Sequence, residues 1–162
     1  MGFHPQMGHM TLEINQALCG HAFLRGLGKD QITSLSSLAS EVVFEENEVI
    51  LEAGQRASSF YLVLSGSVAV ELRTPRYVVC VEALGPGQAF GWSALLDHQD
   101  TVFQVRAREH TVALQLDGPA LQSKFRLEPD LGREILHRTL HLVAGRVKAT
   151  EIRFAEMCGI RV

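Results

Sequence analysis

The 162-residue sequence predicts an α+β, mainly β fold: a double-stranded β-helix jelly roll with short N-terminal helices and a long C-terminal helix. The prediction rests on the period of the apolar residues, which is helical near both ends of the chain and strand-like between them. It also rests on the many short strand-like runs, which follow one another without intervening helices. Such runs are typical of an antiparallel sandwich or jelly roll.

The composition is that of a globular protein, with 46% hydrophobic and 20% charged residues. No run approaches the ~18 consecutive apolar residues that a membrane-spanning helix needs, and the first residues lack the apolar stretch of a secretory signal. We therefore expect residues 1–11 to be a flexible tail, and the protein to lie in the cytoplasm without a membrane partner. The net charge of −3 argues against direct nucleic-acid binding, which usually needs a basic face.

Residues 12–40 are predicted to form two short helices. Gly26 and Gly28 suit the turn between them, and Asp30 suits the start of the second helix. The apolar residues that fall at helical intervals in this segment are Ile14, Leu18, Phe23, Leu24, Leu27, Ile32, Leu35 and Leu38.

Residues 41–116 are predicted to form the jelly roll. Runs rich in β-branched and aromatic residues alternate there with turns that contain glycine or proline. The run Leu64-Ser65-Gly66-Ser67-Val68 predicts a tight hairpin, in which Gly66 supplies a positive φ. The strand-like runs begin at Val42, Val49, Phe60, Val68, Tyr77, Phe103 and Thr111.

One segment departs from the strand pattern. After Gly85-Pro86-Gly87, the run from Phe90 to Leu96 predicts a single helical turn before strand-like residues return at Val102. An isolated helical turn among the strands of a barrel marks a candidate site.

Residues 117–158 are predicted to be helical, with a second start at Glu128-Pro129-Asp130. An alternating spacing of four and three residues predicts a coiled-coil seam and a homodimer along this helix. The alternative is one broad apolar stripe that packs wholly within a single chain. The seam residues are Leu136, Leu140, Val143, Val147, Thr150, Phe154 and Met157, and the core-facing stripe is Ile135, Leu142 and Ala149.

The basic residues of the same segment alternate with acidic ones, a pattern typical of a solvated helix face. They are Arg133, Arg138, Arg146, Lys148 and Arg153.

The cysteines Cys19, Cys80 and Cys158 are scattered, so neither a zinc site nor a disulfide framework is indicated. Cys80 lies in an apolar run and is predicted to be a core residue.

Neither a metal nor another cofactor is predicted, and we do not expect an enzyme. A jelly-roll metalloenzyme of the cupin type needs two or three histidines and a carboxylate inside the barrel. Only His98 and His110 fall in the barrel segment, and no H-x-H pattern occurs. His137 and His141 are four residues apart and could share a metal, but a solvated helix face is the favoured interpretation.

The order of these elements resembles the cyclic nucleotide-binding domain, and more narrowly the sensor half of the bacterial catabolite activator (CRP/FNR) superfamily. The resemblance covers about Phe23 to Met157. Its carriers are Phe23-Leu24-Arg25-Gly26-Leu27, Gly54, the run from Tyr61 to Val68, Gly85-Pro86-Gly87 and Phe90-Gly91.

The resemblance implies a phosphate-binding cassette of the form F-G-E-x-A-L followed by R-A. In that family the backbone and the arginine hold the cyclic phosphate, while the glutamate accepts from the ribose hydroxyl. Here Gly91 and Ala94-Leu95 match, but Trp92 replaces the acid and Thr101 replaces the arginine. The candidate ligand-binding residues are therefore Phe90, Gly91, Trp92, Ser93, Ala94, Leu95, Thr101 and Val102, in a cassette that does not suit tight binding of cyclic AMP.

Three interpretations of this cassette remain open at the level of sequence. Arg106 or Arg108 could replace the missing arginine and restore cyclic-nucleotide binding. Trp92 could instead fill the pocket and leave a protein-binding scaffold, or an open pocket could hold another small effector. Thr150 resembles a family threonine that reaches the adenine, although a small packing residue at the seam is the favoured interpretation.

The resemblance to a transcription regulator ends with the long helix. Only Gly159-Ile160-Arg161-Val162 follow Cys158, which is too little for a DNA-binding unit. We therefore expect a stand-alone regulatory sensor, or a fragment of a longer chain, that passes a signal from a small effector to a protein partner.

Overall fold

Two helices and a short 3-10 turn precede the strands. The computed structural model describes residues 5–96, 100–101 and 103–160, with α1 at Pro5–Gly20, the 3-10 turn at Ala22–Leu24 and α2 at Lys29–Ser36. Helix α1 thus begins inside residues 1–11, and the flexibility of that segment stays a prediction. Pro5 suits a first helical position, because the N–H that proline lacks would have no partner there.

Two four-stranded antiparallel sheets form the jelly roll, which confirms the predicted fold class. The strand order is β1-β8-β3-β6 in the first sheet and β2-β7-β4-β5 in the second. The strands of the described residues are β1 (Ala39–Phe44), β2 (Val49–Leu51), β3 (Ser59–Ser65), β4 (Val68–Arg73), β5 (Val78–Leu84), β6 (Ala89–Phe90), β7 (Gln104–Ala107) and β8 (Thr111–Asp117).

The turn between β3 and β4 is a corner between the sheets, so the predicted hairpin is wrong. β3 pairs with β6 and β8, whereas β4 pairs with β5 and β7. Gly66 has the predicted positive φ of 78°, and a Cβ there would lie 2.4 Å from the carbonyl oxygen of His110. The close approach requires glycine at a corner as much as in a hairpin, so local turn chemistry does not distinguish the two.

The C-terminal segment forms α3 (Gly118–Leu127) and α4 (Pro129–Met157). Asp117 caps α3 by accepting a 2.9 Å hydrogen bond from the amide of Ala120. The first turns of α4 are buried through Leu131 and Ile135, which join a core cluster between the helices and the first sheet. A second cluster, which contains Tyr61, Val63, Val68, Leu84, Phe90 and Val105, lies inside the roll.

Cys80 is exposed, which corrects its assignment to the core. It lies on β5, the outer strand of its sheet, where the apolar neighbours Val78 and Val79 are exposed as well. An apolar run on an edge strand lacks the cover that a central strand receives. Among the described residues, no helix combines the length and the apolar character needed to cross a membrane.

His21 ties the N-terminal turn to β3. Its Nε2 lies 3.0 Å from the carbonyl oxygen of Val63, and its Nδ1 accepts a 3.3 Å hydrogen bond from the amide of Phe23. A carbonyl can only accept and an amide N–H can only donate, so the ring is neutral with its proton on Nε2. Burial lowers the pKa of His21 below 6.5, and the hydrogen bond to Val63 opposes that shift.

We expect stability to fall as the pH drops below about 6.5, because the unfolded chain then binds a proton that folded His21 resists. The contribution of neutral His21 to stability is complete above pH 6.5. It is lost as the pH falls toward the lower pKa that His21 has in the folded state. Urea unfolding of the wild type and of His21→Gln at pH 7.5 and pH 5.5 measures this difference.

His110→Gln is the control, since His110 is exposed near Glu45. We expect His21→Gln to reduce the pH dependence more than His110→Gln does. An unchanged pH dependence in His21→Gln would contradict the assignment.

Candidate ligand-binding site

The predicted helical turn is present as a 3-10 turn at Trp92–Leu95, which we call the cassette turn. Gly91 precedes it in a left-handed conformation with a φ of 79°, and a Cβ on Gly91 would lie 2.4 Å from the carbonyl oxygen of Ser59. The amide of Ala94 donates a 3.0 Å hydrogen bond to the carbonyl oxygen of Gly91, which closes the turn. Close contact with β3 thus determines the path of the backbone at this point.

Helix α3 packs against the cassette turn. Gln122 donates a 3.0 Å hydrogen bond through Nε2 to the carbonyl oxygen of Ala94. Gly118, at the start of α3, packs so close that a Cβ on it would lie 2.7 Å from the same oxygen. Ala94 and Leu95 are the last two residues of the turn and both are buried. These two predicted site residues therefore hold the turn in place.

A cavity of about 590 Å³ lies between the cassette turn, the inner face of the second sheet and α4. Its size falls within the range of pockets that hold small molecules. The apolar part of its lining consists of Leu51, Val70, Val81, Phe90, Trp92, Phe103, Val105, Val143, Val147 and Ala149. Phe90 is held by Tyr61, whose ring stacks on it with the centroids 4.7 Å apart.

The structure brings most of the predicted site residues to this cavity. Phe90, Gly91, Trp92, Ser93 and Thr101 line it, whereas Ala94 and Leu95 do not, and Val102 lies outside the described residues. Thr150 lines the cavity from α4, although its hydroxyl donates to the carbonyl oxygen of Arg146 over 2.9 Å.

The Thr101 hydroxyl does not replace the charge of an arginine. It donates to the carbonyl oxygen of Phe103 over 2.8 Å and accepts from the amide of Phe103 over 3.2 Å. The hydroxyl is therefore already used in a local turn.

Arg106 does not restore a cation at the cassette turn. Its Nε lies 3.2 Å from a carboxylate oxygen of Glu71, and its side chain donates to the carbonyl oxygen of Asn47 over 2.8 Å. Val105, the residue before it on β7, lines the cavity. Because alternate side chains of a strand point to opposite faces, Arg106 points away from the cavity. Arg108 follows the strand and is exposed.

The charged groups that do line the cavity were missed by the sequence analysis. Arg146 of α4 forms an ion pair with Glu82 of β5 over 2.9 Å and donates to the carbonyl oxygen of Ala89 over 3.0 Å. Burial lowers the pKa of Arg146, and the charge of Glu82 opposes that shift. Arg153 also lines the cavity and donates to the carbonyl oxygen of Val81.

The assignment to a solvated face is therefore wrong for Arg146, whereas Arg133, Lys148 and Arg153 are exposed as predicted. Arg138 also turns inward, donating to the carbonyl oxygens of Phe23 over 3.1 Å and Arg25 over 2.9 Å. A signal was present in the spacing, since residues 138, 146 and 153 fall close to the face that carries Ile135, Leu142 and Ala149.

His137 and His141 meet on the exposed side of α4, with their Nε2 atoms 3.2 Å apart. In the described part of the chain, no three side chains of histidine, cysteine, aspartate or glutamate come together in a way that could hold a metal ion.

The sequence is similar to those of known proteins. The family model for the cyclic nucleotide-binding domain matches residues 41–127. Glutaminase 2 of Bradyrhizobium diazoefficiens is 27% identical over 132 residues, which are 82% of this chain and 20% of that protein. The HTH-type transcriptional regulator Cmr of Mycobacterium tuberculosis is 28% identical over 133 residues, which are 82% of this chain and 53% of that protein. The chain thus spans about half or less of the length of these relatives.

A solved structure has a similar fold. The regulatory subunit of a cAMP-independent protein kinase A from Trypanosoma brucei has a TM-score of 0.68 and 25% identity. The alignment covers 83% of this chain and 48% of that one.

We expect Gly91→Ala to destabilise the protein more than Gly54→Ala, its matched control. Both glycines have a φ near 78°, so each substitution costs about 1–2 kcal/mol in left-handed strain. A Cβ on Gly54 meets nothing within 4 Å, whereas one on Gly91 overlaps the Ser59 carbonyl. That overlap adds about 1–3 kcal/mol. Chemical denaturation measures both, and equal losses would contradict the close-contact explanation.

Proposed function

The chain belongs to the cyclic nucleotide-binding domain family, and we propose that it is a sensor whose cavity binds a small effector other than a tightly held cyclic nucleotide. The family is regulatory, so the role assigned here is control of a partner by ligand occupancy.

The open cavity under α4 carries this proposal. If Trp92 filled the former nucleotide pocket, as a scaffold would require, little space would remain beside it. Instead Trp92 packs against the first core cluster and also lines the cavity of about 590 Å³. An open, mainly apolar cavity of this size favours a ligand-binding role.

The chemistry of the cassette turn argues against a cyclic phosphate as that ligand. Trp92 and Thr101 stand where the family places its acid and arginine, and Arg106 is turned toward Glu71. A phosphate at the turn would meet backbone N–H groups without a compensating cation. Charge-assisted hydrogen bonds contribute about 1.5–3 kcal/mol each, so losing both side chains weakens cyclic AMP at least ~100-fold. The similar protein from Trypanosoma brucei is the regulatory subunit of a cAMP-independent kinase, which supports a role for this fold without cyclic AMP.

Helix α4 offers a second copy of the chain an apolar surface. Leu136, Leu140, Val147, Phe154 and Met157 of the proposed seam are between 42% and 86% exposed. Leaving five large apolar side chains in water on one helix is unfavourable, and all five fall on the seam of alternating four and three residues that suits a coiled-coil partner. The effector cavity and the dimer surface then share α4, so the helix connects ligand occupancy to the partner.

Cyclic AMP and cyclic GMP are expected to bind no tighter than the high-micromolar range. Trp92 is the only tryptophan, so its fluorescence monitors the cassette turn directly, and calorimetry checks the result. The double variant Trp92→Glu/Thr101→Arg restores both family side chains and should tighten cyclic AMP binding at least ~100-fold by calorimetry. Sub-micromolar binding of either cyclic nucleotide by the wild type, or no gain in affinity for cyclic AMP in the double variant, would contradict this explanation.

Leu140→Glu is expected to weaken dimerisation by at least ~100-fold, because two buried leucines are lost per dimer at about 1.5–3 kcal/mol each. Leu127→Glu is the control, since Leu127 is 80% exposed on α3, away from the seam. Sedimentation velocity at tens of micromolar should find a dimer for the wild type and for Leu127→Glu, and a monomer for Leu140→Glu. A wild-type monomer under these conditions would refute the dimer.

A further inference from the structure

Two exposed histidines lie one helical turn apart on α4, and the function proposed above uses neither of them. The Nε2 atoms of His137 and His141 are 3.2 Å apart, and the planes of the two rings form an angle of 81°. In the described part of the chain, each ring forms its hydrogen bond with the other ring and with no further group. The pair is therefore accessible from solvent with both Nε2 atoms directed at the same place.

The distance between the two nitrogens is that of two ligands of one metal ion. A bond between zinc and an imidazole nitrogen is about 2.0–2.1 Å long. Two nitrogens 3.2 Å apart that share such an ion form an angle of about 99–106° at the ion. Octahedral and tetrahedral coordination need angles of about 90° and about 109°. An ion can thus bind both nitrogens after a rotation of the two side chains alone.

Imidazole determines which ions suit the pair. A neutral imidazole nitrogen is a good ligand for Zn²⁺, Cu²⁺ and Ni²⁺, whereas Mg²⁺ and Ca²⁺ prefer oxygen. In the metal-free pair, one Nε2 carries the proton of the hydrogen bond and the other accepts it. When both Nε2 atoms bind an ion, the first ring moves its proton to Nδ1. Both rings stay neutral, so the pair needs no net loss of protons to bind the ion.

The histidine pair lies away from the cavity. His137 and Arg146 are nine residues apart, which is about two and a half turns, so they point to opposite sides of α4. Arg146 lines the cavity. Leu136 and Leu140 of the proposed seam directly precede the two histidines and lie about 100° around the helix from them. The pair therefore flanks the seam without being part of it.

The chain supplies two ligands at this place. Across the residues that the structure describes, no third side chain of a metal-binding type joins the pair. Glu134, one turn before His137, lies beside Arg138 at 3.7 Å. Around Gly145, one turn after His141, the space is open, since a Cβ there would meet nothing within 4 Å. The remaining positions of a bound ion are thus open to water and to ligands that exchange with water.

We propose that His137 and His141 form a binding site for a divalent transition-metal ion of the Zn²⁺ class, with water in its remaining positions. The site is separate from the cavity and goes beyond the proposed function. Thr139, between the two histidines, is the last buried residue of α4, a helix that the structure describes along its whole length. An ion that joins residues 137 and 141 therefore stabilises the helical turn at which α4 leaves the core.

Calorimetric titration of the full chain with Zn²⁺ tests the site. His137→Gln and His141→Gln should each weaken Zn²⁺ binding at least ~10-fold, because the second imidazole of a pair binds at a high effective concentration. His110→Gln is the matched control, since His110 is an exposed histidine of the jelly roll, and it should keep the wild-type affinity. The exposed thiols are the same in all four proteins and cancel in the comparison. Mg²⁺ should give no binding at the pair.

The spacing of the histidines is tested by moving the pair along the helix. Arg133 is exposed and lies four residues before His137. Arg133→His in the His141→Gln variant therefore restores two histidines one turn apart and should recover most of the lost Zn²⁺ affinity. Equal Zn²⁺ affinity in the wild type and His141→Gln, or no recovery in the double variant, would overturn the metal site.

Hydrogen exchange measures the effect of the ion on the helix. Zn²⁺ should slow the exchange of the amides of residues 138–145 in the wild type, because a link between residues 137 and 141 opposes local opening of that turn. The amides of α3 should be unaffected, and His141→Gln should show no slowing. Slowing of the same size in His141→Gln would show that Zn²⁺ acts elsewhere, and the proposed site would be wrong.

Discussion

Arg146 joins the parts of the molecule that meet at the cavity. It reaches from α4 to Glu82 on β5 and to the carbonyl oxygen of Ala89, directly before Phe90 and the cassette turn. Removing two charges from water is unfavourable unless their remaining hydrogen-bonding groups find partners. Here the ion pair and the backbone acceptor together supply partners, and they hold α4 over the open side of the roll. The space between helix and sheet is the cavity.

Some residues at the cassette turn are required by the fold, and others determine which ligand can bind. Gly91 is needed because its backbone approaches Ser59 too closely for a side chain, and Ala94 is held by Gln122 and the start of α3. These contacts are internal to the protein and are independent of any ligand. Trp92 makes no such contact with the backbone, and the hydroxyl of Thr101 bonds only to Phe103, outside the cassette turn, so both positions can change chemistry while the turn persists. Membership of the family therefore identifies the fold without identifying the ligand.

Helix α4 carries both surfaces on which the proposed function depends. One side lines the cavity through Val143, Arg146 and Thr150, and the other exposes Leu140 and Phe154. Val147 belongs to both, since it lines the cavity and is half exposed. A small rotation or displacement of one rigid helix therefore changes both surfaces together. This shared geometry is the physical basis of the proposed link between effector binding and association.

Local pattern was enough to predict the jelly roll, the helices at both ends and the helical turn from Phe90 to Leu96. These features depend on the period of apolar residues and on backbone conformations that neighbouring residues determine. The corner at Gly66, the two-residue strand β6 and the exposure of Cys80 could not be predicted, because each depends on which strands become neighbours. The inward-facing arginines were missed for the same reason, since Glu82 and Val81 are far from α4 along the chain. Sequence alone thus determined that Trp92 replaces an acid at the cassette turn. Only the tertiary structure decided that Trp92 leaves the pocket open, because the space beside it depends on how α4 packs over the roll, where Arg146 meets Glu82.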